Sequence, residues 1–138
     1  MLAAADSIWN SAAAGTSGGP SIWNAYPMEK FSLTAIAREQ LENAKTGTSG
    51  RSASTIFGGH EHTLRQTIVA LVEGSSLAEH ESPGEATVYV LAGRVRLTSG
   101  DYNWTGRTGD LIVIPPARHS LDAVEDSTIL LTVAKNPR

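Results

Sequence analysis

The chain contains no cysteine. That absence excludes disulfide staples, thiolate-ligated zinc and a cysteine nucleophile, so any metal must be held by nitrogen and oxygen ligands. No apolar run approaches the roughly 18 residues needed to cross a bilayer as a helix. The N-terminus lacks the basic patch followed by an apolar stretch that marks a secretory signal. The expectation is therefore a cytoplasmic protein with no membrane partner. There is also no excess of positive charge: 11 basic residues stand against 14 acidic ones, for a net charge of -3. Without a broad positive field a phosphate backbone is poorly held, and nucleic acid is not an expected partner. Nucleophile elbows, phosphate loops and dinucleotide fingerprints are likewise missing. A length of 138 residues suits one domain with an extension.

Residues 1–27 are rich in Ala, Ser and Gly and carry one tetrapeptide twice, as Ser7-Ile8-Trp9-Asn10 and Ser21-Ile22-Trp23-Asn24. Between the copies lies Ala-Gly-Thr-Ser-Gly-Gly-Pro, which is linker chemistry. Two readings follow. The segment is an appended leader, with Met28 as a second start where the composition changes, or it is a docking arm. In the second case Ile8, Trp9, Ile22 and Trp23 would bury a large apolar area on a protein partner.

From Phe31 to Lys45 the residues Leu33, Ile36, Ala37, Leu41 and Ala44 recur at helical steps. Ser32 is placed to cap the N-terminus, Phe31 and Ile36 occupy the positions of a hydrophobic staple, and Lys45 and Gly47 suit the last turn and the C-terminal cap. Residues 46–54 read as a loop. Short β-branched runs then follow: Ser54 to Phe57, Leu64 to Val72, Thr87 to Leu91, Val95 to Thr98, Leu111 to Ile114 and Thr128 to Val133. Clusters of Gly, Pro, Asp and Asn separate them at the close spacing of an all-β barrel or sandwich. Leu111 to Ile114, apolar on both faces, is expected to be a central strand covered on each side. The chain thus divides into an extension (1–27), a helix with a loop (28–52) and a small antiparallel β-barrel (53–138), with the helix packed outside and the chemistry in the barrel's mouth.

Two stretches carry a family resemblance. His80-Glu81-Ser82-Pro83-Gly84-Glu85-Ala86-Thr87-Val88-Tyr89-Val90-Leu91-Ala92-Gly93 resembles the first motif of the cupin family. Gly109-Asp110-Leu111-Ile112-Val113-Ile114-Pro115-Pro116-Ala117-Arg118-His119 resembles the second. The resemblance implies a double-stranded β-helix, and in metal-binding members two histidines and a glutamate from the first motif join one histidine from the second. Counted back from Gly93, His80 falls on the first histidine, Ser82 on the second and Ala86 on the glutamate. Glu85 is one residue early and belongs to the opposite face of its strand. His119 takes the position of the second-motif histidine. Two of four ligand positions are therefore filled, and a pair of imidazoles alone holds a divalent ion weakly.

Replacements could come from His60-Glu61-His62. If the strand through Leu64, Gln66, Ile68 and Ala70 runs back without a bulge, His60, His62 and Gln66 share its more apolar face and point inward. Against that, Gly58-Gly59 marks a turn, beside which histidines are commonly solvated or capping residues. Gln66 interrupts an apolar face where an unpaired amide would be costly, so it is a pocket candidate. His80 and His119 either hydrogen-bond each other, a carbonyl or a buried water, or act as proton carriers near a pocket. Glu81 and Glu85 read as solvated, Arg118 as outward, and Tyr102 and Trp104 as packing residues that could also line the cavity rim.

The leading expectation is a homodimeric binding or regulatory module that takes a small organic ligand at Gln66, His80, Ser82 and His119 and holds no metal tightly. The alternative is a metal-dependent isomerase or oxygenase with His80, His119 and one or both of His60 and His62 around iron, manganese, nickel or zinc. The third is a scaffold that works through its Ile-Trp arm.

Overall fold

The structure is a computed structural model that describes residues 28–59, 61–80 and 84–135. Helix α1 spans Leu33–Thr46, and the Ser32 Oγ accepts a hydrogen bond from the Ala35 N–H at 3.1 Å, the predicted cap. Gly47 closes the other end, its N–H donating to the Asn43 carbonyl at 3.0 Å. Ala37, Gln40 and Ala44 are buried on one face, which packs against β1 (Arg51–Phe57), β2 (Leu64–Leu71) and the flank of β9 (Ser127–Lys135). The polar member of that face is satisfied: Gln40 Oε1 accepts from Ser52 Oγ.

The remaining strands are β3 (Ser76–His80), β4 (Gly84–Ala92), β5 (Arg94–Ser99), β6 (Tyr102–Arg107), β7 (Leu111–Ile114) and β8 (His119–Ala123). They form a five-stranded sheet in the order β1-β2-β9-β4-β7 and a four-stranded sheet in the order β3-β8-β5-β6, with every pairing antiparallel. The inner faces of the two sheets meet over a core that includes Val69, Val88, Val90, Leu97, Leu121 and Leu131, each at most 1% exposed. Strand alternation sends every second side chain into that core, and burying each aliphatic side chain contributes about 1.5–3 kcal/mol. This is the expected all-β, double-stranded β-helix barrel with a helix outside.

Three local differences from the sequence reading have physical causes. Strand β1 starts at Arg51, inside the stretch read as a loop. Strands β3 and β8 are absent from the runs read as strands, because Ser-Leu-Ala-Glu-His and His-Ser-Leu-Asp-Ala span only five positions each and contain no β-branched residue. Strand β7 is not central. It is an edge strand whose outer face is bare, with Leu111 60% and Val113 70% exposed.

The sheets meet along two seams. On one, Arg51 Nη1 donates to the Ser76 carbonyl at 3.2 Å, joining β1 to β3. On the other, β6 approaches β7 and β4 because Gly106 has no side chain; a Cβ there would lie 2.8 Å from Ile112 Cδ1 and 3.3 Å from Val90 Cγ2. The lower part of this seam is fastened by the Thr108 N–H donating to the Gly93 carbonyl at 3.2 Å.

Below the core the β4–β5 turn pivots on Gly93 (φ +102), where a Cβ would sit 2.4 Å from the Asp126 carbonyl oxygen. Ser127 Oγ accepts from the Arg94 N–H at 3.0 Å and lies 2.7 Å from the Glu125 carbonyl, to which it donates. Gly74 has a similar left-handed φ of +87 but open space around it. Gly74→Ala should therefore cost about 1 kcal/mol for strain alone, and Gly93→Ala about 3 kcal/mol or more because backbone must also shift. Equilibrium urea unfolding of the two variants checks this; equal losses would contradict it.

Candidate functional site at the His119 end of the barrel

Register brings polar residues to the end of the barrel opposite Gly93. In the five-stranded sheet Arg65 pairs with Val133, Val133 with Ala86, and Ala86 with Ile114. Val133, Ala86 and Ile114 belong to the core cluster, so this row lies on the interior face. In the other sheet the Cα of His80 stands opposite that of His119. The chain joins the two sheets here, since β3 ends at His80 just before β4 begins at Gly84, and β7 ends at Ile114 just before β8 begins at His119.

His119 follows the turn Pro115-Pro116-Ala117-Arg118, in which the Ala117 N–H donates to the Pro115 carbonyl at 2.8 Å. Its side chain is 1% exposed and shares the interior side of β8 with Leu121 and Ala123. Nδ1 lies 2.8 Å from the Ala117 carbonyl oxygen. A carbonyl only accepts, so Nδ1 carries the proton and Nε2 is the acceptor of the neutral ring. Ser99 Oγ donates to the Arg118 carbonyl at 2.8 Å, fixing the peptide that precedes the ring. Of the readings open for this residue, a hydrogen bond to a carbonyl is one that the structure contains.

Gln66 is placed differently from the expectation. The interior side of β2 is that of Val69 and Leu71, and hence of Arg65 and Thr67. Gln66 lies on the other side, half-buried, with Nε2 donating to Thr132 Oγ1 at 3.2 Å. Both sides of β2 are apolar because α1 covers the outer one, where Ile68 and Ala70 are 0% exposed. Apolar alternation therefore could not tell inside from outside.

His62 also departs from the inward extrapolation. It sits in the β1–β2 connection, its N–H donating to the Gly59 carbonyl at 3.2 Å, and its ring meets that of Phe57 edge-on at 4.9 Å. Phe57 pairs with Gln66 beyond a register shift in β1, which puts this contact on the outer side. His60, Ser82 and the arm residues Ile8, Trp9, Ile22 and Trp23 lie outside the described residues, and His80 is described by its backbone.

Arg65 was not singled out from sequence. It is 4% exposed on the interior side, and burial lowers its guanidinium pKa from the usual value. The guanidinium nevertheless stays ionised at neutral pH. Its Nε is buried, and among the described residues the Arg65 side chain has no hydrogen-bond or ion-pair partner. The signal available in the sequence was its parity with Thr67, Val69 and Leu71. On the edge strand β6, Trp104 stands opposite the core residue Leu97 yet is 63% exposed, with Tyr102 beyond it 74% exposed. They form an exposed aromatic margin on that edge.

The described donors do not fit a divalent ion. Ala86 occupies the glutamate position as an interior methyl, and Glu85 is exposed on the opposite side of β4. Arg65 puts a cation in the same row as Ala86. Among the described residues no group of three or more His, Asp or Glu could hold a metal, and no helix among them is long and apolar enough to cross a membrane.

Two facing antiparallel sheets with a polar end define a double-stranded β-helix domain. The family model described as a cupin domain matches residues 67–134, and the barrel is a small cupin-superfamily domain. It is similar to a conserved Streptococcus pyogenes protein of unknown function, at 29% identity and TM-score 0.59, over 67% of this chain and 80% of that one. A cupin superfamily protein of Desulfitobacterium hafniense matches at 15% identity and TM-score 0.56, over 67% and 87%. The salicylate 1,2-dioxygenase of Pseudoaminobacter salicylatoxidans, crystallised as adducts with gentisate, matches at 22% identity and TM-score 0.61 over 77% of this chain. This chain spans only 32% of the dioxygenase. No curated protein matches the sequence.

The ring geometry makes a spectroscopic prediction. Nitrogen-15 shifts of His119 at neutral pH should show the tautomer protonated at Nδ1, and a ring protonated at Nε2 alone would contradict the Ala117 bond.

Proposed function

We propose that this cupin domain binds a small organic ligand at the His119 end of its barrel, holds no metal tightly, and serves as a binding or regulatory module in the cytoplasm. The observation that carries the reading is the composition of the interior face there: an anchored imidazole and a buried guanidinium set among Val133, Ala86 and Ile114. A few fixed polar groups in an apolar wall orient an organic molecule, whereas a metal centre needs three or four convergent donors. Elemental analysis of protein purified without a histidine tag should show clearly substoichiometric metal. Near one ion per chain, lost in a His80→Ala His119→Ala variant, would instead support the metal-dependent enzyme.

The same reading takes the protein as a homodimer. Strand β7 leaves its edge unpaired, and on its outer face Leu111 and Val113 adjoin Tyr89, which pairs with Leu111. An exposed apolar strip on an open sheet edge favours association with a second copy. Light scattering should give the mass of a dimer for the natural sequence and of a monomer for Val113→Glu, with little change in unfolding midpoint because Val113 is outside the core.

A further inference from the structure

Arg65 is the one buried ionised side chain at this end whose charge nothing in the described structure answers. A guanidinium cannot shed its proton at neutral pH to escape the cost of burial. It therefore needs an anion, and removing a charge from water without one is strongly unfavourable. Among the described residues none supplies one: Glu61 and Glu85 are exposed, and the neighbouring interior polar group, Thr67, is engaged with Thr55 across a 3.2 Å hydroxyl pair. Lys135, another cation at this end, donates to the Gly59 carbonyl at 3.2 Å.

The stem of Arg65 is also specifically accommodated. A Cβ at Gly58 (φ +116) would come within 2.8 Å of both Arg65 Cα and Arg65 Cγ, so only glycine lets the chain leaving β1 pass beside this residue. Around it the row continues as Val133, Ala86 and Ile114, which suit carbon rather than further charge.

Resting on the ligand-binding reading above, we infer that the ligand is a small organic carboxylate whose charged end pairs with Arg65 and whose apolar body lies along the Val133, Ala86 and Ile114 wall. A planar guanidinium matches a planar carboxylate through two parallel hydrogen bonds. A single arginine in an aliphatic wall offers too few donors for a phosphate dianion.

The test is thermal unfolding of the full chain with benzoate, with benzamide as its neutral counterpart, and with inorganic phosphate, in the natural sequence, Arg65→Met and Arg65→Lys. Benzoate should raise the melting temperature by about 4 °C or more in the natural sequence. The shift should be smaller in Arg65→Lys and absent in Arg65→Met, with benzamide and phosphate inert throughout. Without ligand, Arg65→Met should melt at or above the natural sequence, because an unanswered buried charge has been removed. Absence of any benzoate shift, or an equal one in Arg65→Met, overturns the inference, as does a shift with phosphate alone. Equal shifts with benzamide in all three proteins would overturn the carboxylate while leaving the ligand-binding reading intact. Should Arg65→Met fail to fold, a full-sized benzoate shift in Arg65→Lys would overturn the bidentate pairing.

Discussion

The ladder that β9 makes on both of its edges is the constraint on which the rest of the structure depends. Bonded to β2 on one side and β4 on the other, β9 sets both registers at once. A slip of one residue would turn every inward side chain of a strand outward. With this register Ile129, Leu131 and Val133 face the opposite sheet, and Arg65 and Ala86 are brought to either side of Val133. The polar end of the barrel is thus a product of main-chain hydrogen bonding before it is one of side-chain chemistry.

That end combines two kinds of order. His119 is fixed from behind: a carbonyl holds its Nδ1, and a serine hydroxyl holds the peptide before it. A ring held in this way keeps one tautomer and one direction, which suits recognition as well as it suits ligation. Arg65 is fixed by exclusion, lying beside a glycine in a strand otherwise committed to packing. The interior methyl of Ala86 lies in the same row as Arg65, with Val133 between them, so this row carries a cation and no carboxylate.

Much of this was legible beforehand. The helix, its Ser32 cap, the barrel class and the interior parity of Ala86 against Glu85 all follow from spacing and from motifs. What was not legible has a common cause, which is that α1 covers the outer surface of β2 and leaves Ile68 and Ala70 there as dry as the inner Val69 and Leu71. A strand buried on both sides carries no record of which side is which, so Gln66 was assigned to the interior and Arg65 was passed over. The same inversion carried His62, which shares the outer side with Gln66 and Phe57, to the interior in the sequence reading. Strand β7 misled in the opposite direction: Leu111 and Val113 look like core residues, yet they form an uncovered surface.

The two seams between the sheets are unequal. One carries a charged donor on a main-chain oxygen, Arg51 to Ser76. The other is tied at its foot by Thr108 and Gly93, and above that knot rests on aliphatic contact where Gly106 meets Ile112. Neither seam is a strand ladder, and at Gly106 the missing side chain is what lets the two sheets close by aliphatic contact alone; a single added methyl group there would wedge them apart.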